Sequence, residues 1–72
     1  MRIVKIYDLS RQNWEDLIDQ WIFSIRDRNI IKKALLDGIS IADIANEEHY
    51  SYCTVYKIVR NGEKELLKHI NL

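Results

Sequence analysis

The chain has 72 residues, eleven Lys and Arg against eleven Asp and Glu, and 47% hydrophobic residues. A chain of this length buries only ~60% of its unfolded surface, which allows one core and excludes a two-lobed catalytic cleft built around a cofactor. Balanced charge gives no global field directed at nucleic acid or an anionic membrane. Proline is absent and glycine occurs only at Gly38 and Gly62, so a small fold of many β-turns is disfavoured and helices are expected. One cysteine, Cys53, excludes an internal disulfide framework and suits a reducing cytoplasm. No apolar run is long enough for a bilayer and charges begin at Arg2, so neither a membrane span nor a secretory signal is expected.

Residues 1–9 read as a short extended N-terminal arm. Ile3, Val4 and Ile6 have strand-like character, either packed on the domain or pairing with a second copy. Trp14, Leu17, Ile18, Trp21, Ile22 and Ile25 then follow the i, i+3, i+4 rhythm of one helix face. Asn13 is the expected N-cap, with Glu15 and Asp16 in the first turn and both tryptophans in the core. The next stripe, Ile30, Ile31, Ala34 and Leu35, is out of phase with the first, so the chain must break near Ser24. Ser24 and Asp27 have capping-box spacing, and Gly38 stops this second helix. Two supporting helices thus occupy 13–37.

Ser40, with Asp43 three residues on, opens a short helix carrying Ile41, Ile44 and Ala45. Ser51 caps the next, whose stripe Val55, Ile58 and Val59 continues through Gly62, Leu66 and Ile70 without losing phase. A turn at Asn61 and Gly62 would free the phase, so one long helix is favoured over a fifth beginning at Glu63. Gly62 then faces a close neighbour at a cost of ~1 kcal/mol. The expected architecture is a small all-α bundle whose residues 40–60 form a helix-turn-helix, with 61–70 continuing the last helix.

In that unit Ala45 takes the close crossing, and Ile44, Val55 and Ile58 fill the shared core. His49 takes a turn position that often needs positive φ, and Tyr50 plugs the turn as a core residue. A helix-turn-helix presents its second helix to the DNA major groove. The outward residues expected to bind DNA are Ser51, Tyr52, Cys53, Tyr56, Lys57 and Arg60. Residues 50–62 hold Lys57 and Arg60 and no acid, whereas 37–48 hold Asp37, Asp43, Glu47 and Glu48 and no base. Neutrality is thus an average over segregated patches, and binding depends on the local one. Lys57 is expected at a base edge and Arg60 at a phosphate. With so few cations, two copies on DNA are expected, with Ile3, Val4 and Ile6 as candidate dimer contacts.

His49 and Cys53 are four apart, but a zinc site needs about four ligands, and His69 and a carboxylate would have to come from elsewhere. A Cys–His nucleophile lacks a pocket and an orienting group. No metal, cofactor or enzymatic activity is expected. His69 reads as a surface residue complementing the helix dipole.

The stretch 26–70 carries RDR at 26–28, LLDG at 35–38, IA at 44–45, HYS at 49–51 and TV at 54–55. It resembles the DNA-binding C-terminal module of bacterial sigma factors, closest to the small stand-alone sigma-like proteins of Firmicutes and their phages. The resemblance implies a cytoplasmic transcriptional regulator that reads double-stranded DNA with Tyr52, Cys53, Tyr56, Lys57 and Arg60. Departures are Glu48 where the family has Leu or Met, and Tyr52 and Cys53 where Arg, Ser or Lys is common. Gly62, where Ala is common, agrees with a close crossing. The alternative is an interaction module of the same fold that binds polymerase or another regulator rather than DNA.

Overall fold

Each helix opens on a serine whose hydroxyl accepts a backbone N–H three residues on. In the computed structural model, which describes residues 9–70, the helices are α1 (Arg11–Trp21), α2 (Ile25–Leu35), α3 (Ile41–Glu48) and α4 (Tyr52–His69). Ser10 accepts from Asn13 at 3.2 Å, Ser24 from Asp27 at 3.4 Å, Ser40 from Asp43 at 3.1 Å and Ser51 from Thr54 at 3.2 Å. These bonds satisfy donors that a helix start leaves without partners. Among the described residues there is no strand, and no helix is long and apolar enough to cross a membrane. The expected arm contacts at Ile3, Val4 and Ile6 lie outside the described residues.

The first cap corrects the sequence reading. Ser10 is already extended (φ −66°, ψ 159°), so the chain turns helical at Arg11 and Asn13 lies inside α1. Glu15 and Asp16 consequently fall beyond the first turn, which holds no acid. The assignment of Ile25 also fails. Ile22 leaves the helix with φ −106° and ψ 109°, Ile25 starts α2, and it is 71% exposed. Arg28 holds this corner by donating from Nε to the Ile22 carbonyl. Trp14 is buried as expected, whereas Trp21 is half-buried and its ring stacks on His69 at 3.5 Å between centroids. This stack joins α4 to α1, so His69 does not only face solvent, and within α4 its ring also lies 3.2 Å from Glu65.

Two apolar clusters form the interior. Trp14, Ile18, Ile22, Ile31, Leu35 and Leu66 join α1, α2 and the end of α4. Ile30, Ala34, Ile44, Ala45, Val55 and Val59 join α2, α3 and the start of α4. Adjacent residues of α2 therefore face different clusters: Ile30 one, Ile31 the other. Ile58 packs against both.

The final helix runs unbroken through Gly62, which is buried. A Cβ built at position 62 would collide with Ile31 Cδ1 and lie 2.9 Å from its Cγ1. Ile31 is itself 1% exposed, so it has little room to retreat. At Gly62→Ala, overpacking of ~1–3 kcal/mol opposes a helix-propensity gain of ~1 kcal/mol. We expect a net loss of about 1 kcal/mol in denaturant unfolding. Ile31→Val, which removes the colliding methyl, should cost less in the Gly62→Ala background than in the parent chain. Additive losses would show that the two positions do not compete for one space.

Candidate nucleic-acid interface

The α3–α4 unit is built from local chemistry and then fixed by α2. After Glu48, His49 adopts φ 60° and ψ 38°, the left-handed conformation expected of it. The N–H groups of His49 and Tyr50 both turn back to the Ala45 carbonyl, the latter at 3.0 Å. Ser51 then restarts the chain as α4. Ala45 is buried beside Ile44, Val55 and Val59 in the cluster shared with α2. Ile58 is half-buried rather than fully enclosed. Glu48, the departure from an apolar residue, is accommodated by charge: Lys33 Nζ of α2 lies 2.8 Å from Glu48 and 3.5 Å from Glu47.

That contact changes the charge pattern inferred from sequence. Glu47 and Glu48 are tied to Lys33, and Asp37 lies 2.7 Å from Arg11. Three of the four acids between 37 and 48 are thereby partnered by cations from α1 and α2. The acidic hydrogen bonds also favour the charged forms, holding the Lys33 ammonium and the Arg11 guanidinium above their usual pKa values.

All six expected site residues are exposed. Ser51 is engaged as a cap, its hydroxyl also meeting Thr54 Oγ1 at 2.8 Å. Tyr52, Tyr56 and Arg60 form a ladder along α4. The tyrosine rings are near-parallel (12°) with centroids 6.4 Å apart, and the Arg60 guanidinium lies 5.9 Å from the Tyr56 centroid. Cys53 and Lys57 are exposed on the same two turns of helix, outside this ladder. Among the described residues no ion pair engages Lys57 or Arg60. Beneath the ladder, Val55 and Val59 are fully buried and hold these turns rigidly against α2 and α3.

Tyr50 corrects the reading of it as a core plug: it is 37% exposed, and Arg26 of α2 lies over its ring at 5.4 Å. Arg26 is a contributor that pattern reading of 40–60 missed. Its only early signal was its place in the RDR of 26–28, because the contact joins residues 24 apart in sequence. No family model matches the chain significantly, nor does any curated protein or solved structure.

The crossing at Ala45 generates a test. Ala45→Leu forces a larger side chain into the cluster that fixes α3 on α4, and should destabilise the fold by ~1–3 kcal/mol. An unchanged thermal midpoint would place the crossing elsewhere.

Proposed function

We propose that the protein binds double-stranded DNA as a sigma-like helix-turn-helix transcriptional regulator, presenting the first three turns of α4 to the major groove. One observation carries this reading. A short helix, a left-handed turn and a second helix pack on a common core, and the exposed turns of the second hold Tyr52, Cys53, Tyr56, Lys57 and Arg60 without an acid. Polar, aromatic and cationic side chains suit groove edges and phosphates. The buried Val55 and Val59 fix the backbone of this face, so little backbone freedom is lost on binding. Few cations lie on this face, so weak binding by one copy and firmer binding by two copies about one helical turn apart are expected.

The exposed Tyr52–Tyr56 stack supports a second reading. Stacked exposed tyrosines are common in protein interfaces, so polymerase or another regulator is the rival partner. A mobility-shift titration in salt separates the two. Arg60→Ala should weaken binding about equally on all sequences and lower the salt slope by ~1. Lys57→Ala should cost ~1–3 kcal/mol, mainly on the preferred sequence. Duplex affinity unchanged in both variants, with loss of binding to a protein partner, would make α4 an interaction surface.

A further inference from the structure

The cations of this chain differ in what holds them. Lys32 of α2 reaches Asp19 at 2.8 Å, Lys33 reaches Glu48, Arg11 reaches Asp37, and Arg28 donates to a backbone carbonyl. All four are cross-links between segments of the fold. Arg26 is different. Its carboxylate partner is its own neighbour Asp27, which takes Nε at 3.0 Å, and its guanidinium lies over Tyr50, the residue before the α4 cap. Hydrogen bonding to Asp27 and Tyr50 favours its charged form, and the side chain is about half exposed (48%).

Arg60 repeats the arrangement against Tyr56 at the other end of the same turns. An arginine–tyrosine couple therefore stands at each end of the exposed stretch from Ser51 to Arg60. Nine helical rises make that stretch about 13 Å long, and the major groove is about 12 Å wide. A helix crossing the groove brings its two ends toward the two phosphate backbones that border it. Arginine fits this task better than lysine: its planar fork carries five donors, so phosphate oxygens can be met while an aromatic ring supports the plane and one or two donors are engaged.

We infer that Arg26, held by Tyr50, is a phosphate clamp at the N-terminal end of α4, opposite the Arg60–Tyr56 clamp across the groove. This rests on the reading of α4 as a DNA-facing helix and adds a binding residue supplied by a different element. Asp27 acts as its restraint, because a phosphate must compete with that carboxylate for the same guanidinium.

The test measures anisotropy of a labelled mixed-sequence duplex between about 50 and about 200 mM salt. It compares the parent chain with Arg26→Ala, Asp27→Asn and Lys68→Ala. Lys68 supplies a control of equal charge, exposed in the last turn of α4 and about 24 Å along the helix from Tyr52. Loss of one phosphate contact lowers the salt slope by about 0.9, so the Arg26→Ala penalty should be about 3.5-fold larger at the lower salt than at the higher. Lys68→Ala should leave the slope unchanged, and Asp27→Asn should tighten binding. Circular dichroism checks the fold, and Asp27→Asn alone decides the matter if Arg26→Ala does not fold. A parental slope in Arg26→Ala, or no tightening in Asp27→Asn, overturns the clamp while leaving the DNA reading intact. Absence of duplex binding by the parent chain at low salt overturns both.

Discussion

Ile31 occupies the space that a side chain at position 62 would need, and this contact lets α2 and α4 lie close together. Both helices serve both apolar clusters, so their separation sets the geometry of everything packed around them. α1 closes one side through Trp14 and Ile18, and α3 closes the other through Ile44 and Ala45. Interiors packed to crystal-like density transmit such a constraint rather than absorb it. The exposed face of α4 is thus positioned by a contact on its hidden side.

The electrostatics follow the same architecture. Eleven acids and eleven bases would suggest a bland surface, but the partnerships are uneven. Lys32 and Lys33 pair between helices and Arg11 pairs with Asp37 after α2, whereas Lys57 and Arg60 face outward without ion pairs among the described residues. Exposed pairs of this kind contribute little stability each and are screened by salt. Their larger effect is on the pattern of charge that the surface presents.

Local signals made much of this fold legible. Ser24, Ser40 and Ser51 are readable caps because each bond closes within three residues, and Gly62 is readable because helical phase survives across it. Ser10 was hidden by Asn13, an equally good cap standing three residues later, with no apolar residue between them to set the phase. Ile25 misled for a different reason: it continues the stripe arithmetic of α1 even though the backbone has already left the helix at Ile22. Arg26 of α2 and Tyr50 of the turn before α4 define each other's surroundings, and no local periodicity encodes such a meeting. At the candidate site, the outward residues of α4 were legible from helical phase, and the flanking contribution of α2 was not.

The continuity of α4 has a consequence for cooperativity. Its first half supplies Val55 and Val59 to one cluster and its second half supplies Leu66 to the other. A break at Gly62 would have made a hinge, allowing the exposed turns to fray while α1 and α2 stayed folded. Without that hinge the two halves are mechanically coupled, and opening the exposed turns disturbs a helix that both clusters share. Any ligand held only by the first turns of α4 then also stabilises the Trp14 cluster at the far end against openings that unfold both. Amide protons around Trp14 and Ile18 would therefore exchange more slowly when a site they never touch is occupied.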